Sequence, residues 1–141
     1  MISVVIPTLN SERTIRTAVK SAMEKADEVI VVDSFSTDKT VEIAEKEGAK
    51  VLQVKGSRLI ARIEGAKIAK GDYIVNLDAD MYFSQSFQPT NIESKVIALG
   101  EITVGRGIVY KIMKLDREIT HKKWKRFEDE EFLQNVNAVR F

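Results

Sequence analysis

The sequence has no cysteine among its 141 residues, which excludes disulfide bonds and thiolate metal sites and favours an intracellular protein. Only two prolines and seven glycines are present, so the composition is neither collagenous nor that of a low-complexity chain. Lysine and arginine total 22 against 21 aspartates and glutamates, which leaves a formal net charge of +1. No overall field therefore favours nucleic acid or an anionic membrane as a partner.

Several sequence motifs are also absent. No apolar run reaches the roughly 18 residues that a spanning helix needs, and the first residues do not read as a leader, so we expect a soluble protein. We place it in the cytoplasm and leave open a position at the inner face of the membrane.

Neither G-x-x-x-x-G-K-[ST] nor G-x-G-x-x-G occurs, which argues against P-loop nucleotidases and dinucleotide oxidoreductases. The single histidine, His121, excludes a histidine-based metal cluster.

Short apolar segments alternate with amphipathic segments through residues 1–83. Continuous apolar strands between such helices are typical of a parallel sheet covered on both faces, so we predict an α/β, Rossmann-like fold. The predicted strands are Ser3–Ile6, Glu28–Asp33, Lys50–Val54 and Tyr73–Leu77. The first helix is predicted to be capped by Asn10 or Ser11, the second by Ser36 or Thr37 with its end at Gly48, and the third begins near Arg58 and ends at Gly71.

The remaining residues, 84–141, are less regular. We predict a helix beginning near Pro89, one or two strands broken at Gly105 and Gly107, and a helix over the segment "KKWKRFEDEEFLQNV". No repeat or linker separates this part from the first. We therefore predict one domain over residues 1–141, with a shorter second half that starts at residue 84.

Acidic residues follow two of the predicted strands. Asp33 ends one strand, and Asp78 and Asp80 follow another; in an open parallel sheet, ligands bind outside such carboxyl ends. An extended backbone would turn Asp78 and Asp80 to the same side, with the small Ala79 turned away. Two facing carboxylates repel each other unless they share a proton or a cation such as Mg²⁺ or Mn²⁺ binds them, and substrate phosphates commonly complete that metal's coordination. A D-x-D sequence also occurs in ordinary loops, but this context favours a metal-diphosphate site.

Three segments together resemble the family 2 glycosyltransferases, which have the GT-A fold. They are "SVVIPTLNSERTI", "EVIVVDSFSTDKTVEIAEKEGAKV" and "ARIEGAKIAKGDYIVNLDAD". The resemblance implies a mostly parallel GT-A sheet with helices on both faces. It also implies that a sugar is transferred with inversion from a nucleotide-diphosphate sugar, with a UDP-sugar favoured, to an acceptor hydroxyl. Mn²⁺ or Mg²⁺ is the implied cofactor.

The resemblance also implies roles for individual residues. The segment Pro7–Asn10 would wall the nucleobase and ribose, Asp33 would accept a hydrogen bond from the base, and Arg62 would lie near the base or the diphosphate. Asp78 would meet the ribose side, and Asp80 would bind the metal. The implied nucleotide-binding residues are Pro7, Thr8, Leu9, Asn10, Asp33, Ser34, Arg62, Asp78, Ala79 and Asp80. Arg58, one helical turn before Arg62, is interpreted as an ordinary surface charge.

The chain departs from the family pattern at several positions. Phe35 stands where the family often has glycine, Ile63 where it often has asparagine, and Met81 where it often has a third acidic residue. An inverting transferase also needs a general base, and "RFEDEEFLQ" resembles the family's segment that supplies it. Asp129 is the candidate base; the alternative is that this residue belongs to ion pairs on a helix surface.

The acceptor cannot be assigned and is expected to be a saccharide, a lipid-linked molecule or a protein. No nucleic-acid partner is expected, and peripheral membrane contact through "HKKWKRF" and a homodimer are left open. Two alternatives to an active transferase remain. One is a nucleotide-sugar-binding module without independent catalysis, and the more distant one is a non-enzymatic module of flavodoxin or receiver type.

Overall fold

The computed structural model describes residues 1–85, 100–103 and 136–140. The chain divides into two compact units, Met1–Phe83 and Ser84–Phe141. The first unit contains strands β1 (Ile2–Thr8), β2 (Glu28–Asp33), β3 (Lys50–Gln53), β4 (Tyr73–Asn76) and β5 (Met81–Phe83), and helices α1 (Ile15–Met23), α2 (Thr40–Lys46) and α3 (Arg58–Ile68). The second unit contains strands β6 (Gly100–Thr103) and β7 (Val136–Arg140), which pair in parallel. No helix among the described residues has both the length and the apolar sequence needed to cross a lipid bilayer.

The first unit is built on a four-stranded sheet with the order β3-β2-β1-β4. All three neighbouring pairs are parallel, so the predicted α/β fold with a parallel sheet is confirmed. The order differs from the flavodoxin and receiver order, in which the first strand lies between the second and the third. Successive strands run outward from β1 to β3, and β4 returns to the other side of β1. The strand order therefore reverses between β1 and β4, where ligands of open α/β sheets bind.

Helices pack on both faces of the sheet because β1 and β2 carry apolar side chains on each face. One face carries a cluster of Val5, Ile30, Val32 and the α3 residue Ala61, all buried. The alternate residues of the same strands are buried as well, and α1 packs against both strands. Gly65 allows α3 to approach closely, since a Cβ atom there would lie 2.4 Å from Cγ1 of Val5.

The predicted start of the first helix is wrong. Residues 11–14 form a turn in which the carbonyl oxygen of Ser11 accepts hydrogen bonds from the amides of Thr14 and Ile15, and α1 begins at Ile15 with Thr14 as its N-cap. Asn10 is unavailable as a cap because its side-chain oxygen accepts from Thr37 in the next βα loop. The Asn10 side chain thus bonds to the loop after β2 instead of capping the first turn of α1.

The predicted start of the second helix is wrong for the same reason. Helix α2 begins at Thr40 with Lys39 as its N-cap, rather than after Ser36 or Thr37. The Asp38 side chain accepts a hydrogen bond from the Thr40 amide at 3.0 Å, which satisfies a donor of the first turn. Ser36 and Thr37 bond to other partners in the loop.

The predicted helix ends have different outcomes. Gly48 follows the C-cap of α2 with a φ of +93°, a left-handed conformation that favours glycine, so this prediction is confirmed. Helix α3 ends at Ile68, three residues before Gly71, so that prediction is wrong. Gly71 instead lies against β1, where its amide donates to Oγ of Ser3 at 2.9 Å and a Cβ would lie 2.6 Å from the Ser3 nitrogen.

The strand predictions are close to the observed strands. Glu28–Asp33 is observed as predicted, β1 is longer than predicted at both ends, and β3 and β4 each end one residue early. Strand β6 falls at the start of the segment predicted to form strands beyond residue 100. Three predictions lie outside the described residues: the helix near Pro89, the break at Gly105 and Gly107, and the helix around Asp129 up to residue 135. The last residue of that predicted helix, Val136, instead begins strand β7.

Candidate active site

The carboxyl ends of β1, β2 and β4 bring most of the predicted site residues to one edge of the sheet. Thr8 and Asp33 are partners in the register of β1 and β2, so the segments Pro7–Asn10 and Asp33–Ser34 are neighbours. On the other side of β1, the Leu77 amide donates to the carbonyl oxygen of Val5 at 3.0 Å, which brings the segment after β4 to the same edge. The site residues therefore border the point where the strand order reverses.

Hydrogen bonds join the two loops that follow β1 and β2. The Asn10 amide donates to Oγ of Ser36 at 2.8 Å, and the Thr37 amide donates to Oδ1 of Asn10 at 2.8 Å. Nearer the sheet, the Ser34 amide donates to the carbonyl oxygen of Thr8 at 2.9 Å. The loops thus form one connected surface. Neither Ser36 nor Thr37 was predicted to belong to the site, although their polar side chains immediately follow the predicted Asp33 and Ser34.

Asp33 organises the loop after β2. Its side chain is fully buried, and Oδ2 accepts hydrogen bonds from the Ser36 amide at 2.9 Å and from Nε2 of Gln53 at 3.2 Å. Oδ1 accepts from the Ser36 hydroxyl. These donors offset the cost of burying a carboxylate. Asp33 therefore fixes the loop conformation, and its contact with a nucleobase stays a prediction.

Asp78 lies beside two arginines of α3. Nη2 of Arg62 is 2.7 Å from Oδ1 of Asp78, and Nη1 of Arg58 is 3.5 Å from Oδ2. The Asp78 side chain is 14% exposed, whereas that of Arg58 is 67% exposed. Residues four apart on a helix share a face, which is why both arginines reach the same carboxylate. The interpretation of Arg58 as an ordinary surface charge missed this contact, because it arises only when α3 packs beside the end of β4.

The backbone turns between Asp78 and Asp80. Strand β4 ends at Asn76, and the Met81 amide donates to the carbonyl oxygen of Asp78 at 2.9 Å, which closes a turn through Ala79 and Asp80. The expectation that an extended backbone points both aspartates to one side is therefore wrong. Ala79 is buried and Asp80 is partly exposed. Asp78 is partly exposed as well, so the two carboxylates flank a buried alanine.

Two buried polar atoms at this edge lack hydrogen-bond partners. Within the described part of the chain they are Oγ1 of Thr8 and Nε of Arg62. An unsatisfied buried polar atom costs about 1–3 kcal/mol, and such atoms often have a role in ligand binding or catalysis. Both belong to residues that were predicted to contact the nucleotide.

The donor set at this edge fits a cation that is held jointly with a ligand. The described residues contain no group of three histidine, cysteine, aspartate or glutamate side chains that could form a closed metal site. Mg²⁺ commonly binds through one or two carboxylates and takes its remaining oxygens from phosphates and water. Asp80, a partly exposed carboxylate at the strand edge, suits this mode of binding.

Comparison with known proteins identifies relatives of this chain. Residues 3–137 match the model of glycosyl transferase family 2. A glycosyltransferase of Rickettsia bellii is 47% identical over 88 residues, a match that covers 62% of this chain and 30% of the relative. The chain thus spans about a third of the length of the curated relatives that it matches first.

Solved structures show the same fold. The structure of Staphylococcus aureus TarS 1–349 in complex with UDP is 27% identical with a TM-score of 0.57, and the match covers 76% of this chain and 37% of that one. Glucosyl-3-phosphoglycerate synthase from Mycobacterium tuberculosis in complex with Mg²⁺ and UDP is 34% identical with a TM-score of 0.50, over 58% of this chain and 34% of that one. The predicted GT-A fold is confirmed, and the chain belongs to glycosyl transferase family 2.

Proposed function

We propose that this chain binds a nucleotide-diphosphate sugar at the carboxyl edge of the sheet. A UDP-sugar is the favoured donor, since two of the similar structures contain UDP. One observation carries the proposal. Hydrogen bonds join the loops after β1 and β2 at the edge of the sheet where Asp78 pairs with Arg62 and where the strand order reverses. The sugar is transferred to an acceptor hydroxyl with inversion and with help from a divalent cation.

The loops after β1 and β2 form the nucleoside side of the proposed site. Pro7–Asn10 and Ser34 line it, with Asp33 beneath them. The free Oγ1 of Thr8 offers a ligand one hydrogen bond that the described part of the chain leaves unmade. A ligand that supplies this partner would relieve an existing desolvation cost, which favours binding.

The segment after β4 and the arginines of α3 form the diphosphate side. Arg62 and Arg58 are oriented by Asp78 and contribute positive charge near the proposed phosphates. Asp80 would hold Mn²⁺ or Mg²⁺, with Ala79 between the two carboxylates. The bound cation would stabilise the negative charge on the departing diphosphate.

The proposed general base is Asp129, which lies outside the described residues. It would accept the proton of the acceptor hydroxyl as that oxygen attacks the anomeric carbon. Replacing Asp129 by asparagine should abolish UDP release in the presence of acceptor while leaving the affinity for UDP unchanged. Unchanged UDP release would contradict this role. Metal-dependent UDP binding without any UDP release by the unsubstituted protein would instead favour the alternative, a binding module without catalysis of its own.

Calorimetric titration with UDP, GDP and dTDP, each with and without Mn²⁺, tests the binding proposal. We expect metal-dependent binding of UDP, and a loss of at least about tenfold in affinity for Asp80→Ala, since a carboxylate ligand of the cation is removed. Asp72→Ala is the matched control, because Asp72 is exposed just before β4 at the opposite edge. Absence of metal-dependent binding to all three nucleotides would overturn the proposal.

A further inference from the structure

Phe35 has an unusual backbone conformation. Its φ is +60°, and among the non-glycine residues that the structure describes only Asn10 shares a positive φ. Asparagine tolerates this left-handed region, whereas a bulky side chain there is an outlier and glycine adopts it freely. The conformation therefore carries a strain that glycine at position 35 would remove.

The neighbours of Phe35 hold it in this conformation. On one side, the Ser34 amide donates to the carbonyl oxygen of Thr8. On the other, the amide and hydroxyl of Ser36 both donate to the buried Asp33 carboxylate. Strained residues that the surrounding structure fixes in this way occur frequently at ligand-binding sites.

Packing of the Phe35 side chain in the core does not offset this strain. The side chain is 54% exposed, and Leu9, in the loop bonded to this one, is 56% exposed. Both lie at the edge of the sheet where a nucleotide is proposed to bind. Two large apolar side chains are thus exposed on the loops that form the nucleoside side of the site.

We propose that Phe35 contacts the nucleobase and, together with Leu9, forms an apolar wall against which the base stacks. This inference rests on the proposed binding of a nucleotide-diphosphate sugar. Stacking on an aromatic ring is available to every base, because each has a π face. In proteins that bind single-stranded nucleic acid, removing such a ring lowers the affinity roughly 5-fold to 150-fold.

The test compares UDP with inorganic pyrophosphate, which lacks the base. Dissociation constants are measured calorimetrically in the presence of Mn²⁺ for the unsubstituted protein, Phe35→Gly, Phe35→Asn and Phe35→Tyr. We expect Phe35→Gly and Phe35→Asn to weaken UDP binding about tenfold while pyrophosphate binding is unchanged. Phe35→Tyr keeps an aromatic ring and should retain the affinity for UDP.

Folding and surface effects are controlled separately. Glycine and asparagine both tolerate a positive φ, so neither variant should unfold at a lower temperature than the unsubstituted protein. Leu59→Ala removes another exposed apolar side chain, on α3, and should leave UDP binding unchanged.

The outcomes separate the inference from the proposed function. Unchanged UDP affinity in Phe35→Gly, with binding by the unsubstituted protein, would overturn only the role of Phe35. An equal loss for UDP and pyrophosphate would also overturn it, since that result indicates a distorted loop rather than a lost stacking contact. Absence of UDP binding by the unsubstituted protein would overturn the proposed function and this inference with it.

Discussion

Two aspartates separated by one alanine lie in the segment that follows β4, and both are partly exposed. Asp78 pairs with Arg62 and Arg58, and the chain turns through Ala79 and Asp80. The sequence predicted that both carboxylates would lie at the carboxyl edge of the sheet. It did not predict the turn between them, because the extended conformation of β4 was assumed to continue to Asp80, whereas β4 ends at Asn76 and the Met81 amide donates to the carbonyl oxygen of Asp78.

The two arginines allow a matched test of the Asp78 ion pairs. Arg62→Gln should lower the free energy of unfolding by about 1 kcal/mol, a value reduced from that of a buried charged hydrogen bond because the Arg62 side chain is 37% exposed. Arg58→Gln should lower it by less than about 0.5 kcal/mol, since Arg58 is more exposed and its contact is longer. Urea denaturation measures both. Equal losses in the two variants would contradict the assigned geometry.

Glu28 provides a pH-dependent test at the opposite edge of the sheet. Its Oε2 accepts from the Lys70 amide at 2.9 Å and from Oγ of Ser3 at 2.6 Å. The Lys70 hydrogen bond, followed by that from Ser3, lowers the pKa of Glu28 below its ordinary 4.5. Because the folded-state pKa is the lower one, the stabilisation is present above pH 4.5 and is lost as the pH falls through the folded-state pKa.

Glu28→Gln should therefore unfold at a lower temperature than the unsubstituted protein at about pH 6, and the gap should narrow by about pH 3. Thermal unfolding followed by circular dichroism measures the gap. Glu45→Gln, an exposed position on α2, controls for the loss of one carboxylate. A gap that stays constant between the two pH values would show that Glu28 does not contribute through its ionised form.

At the scale of elements, the strands were predicted well because each contains a short apolar run bounded by polar residues or glycine. Strands β1 and β2 are buried along nearly their whole length, whereas β3 and β4 are partly exposed. The N-caps of α1 and α2 were predicted wrongly, because capping was inferred from polar residues that are close in sequence. Asn10, Ser36 and Thr37 instead bond across two loops that are about 26 residues apart in sequence. A single sequence does not reveal which polar groups meet after folding.

The packing of α3 on the sheet depends on Gly65. Gly65→Ala should lower the free energy of unfolding by about 1–3 kcal/mol, because the added Cβ would lie 2.4 Å from Cγ1 of Val5 and 2.9 Å from Cγ2 of Val32. The better helix propensity of alanine is worth only about 1 kcal/mol and acts in the opposite direction. Urea denaturation gives the difference, with the exposed Lys67→Ala on the same helix as control. A stabilised Gly65→Ala variant would contradict the close packing.

At the scale of the whole molecule, the order β3-β2-β1-β4 determines where the site lies. The alternation of strands and helices predicted a parallel sheet, but periodicity alone does not give the order of the strands. The family resemblance predicted the GT-A fold and identified which side chains among residues 1–83 meet at the carboxyl edge. Asp129 remains a prediction, since it lies outside the described residues.

The central claim is that a nucleoside diphosphate and a cation bind at the carboxyl edge of this sheet. The most direct test is the NMR line broadening that Mn²⁺ causes at backbone amides in the presence of UDP, with Mg²⁺ as the diamagnetic reference. Strand β1 has seven residues and separates the two edges by about 20 Å. We predict the strongest broadening at Asn10, Ser34 and Asp80, and much weaker broadening at Asp27 and Gly71. Broadening centred on Asp27 and Gly71, or none that depends on UDP, would contradict the claim.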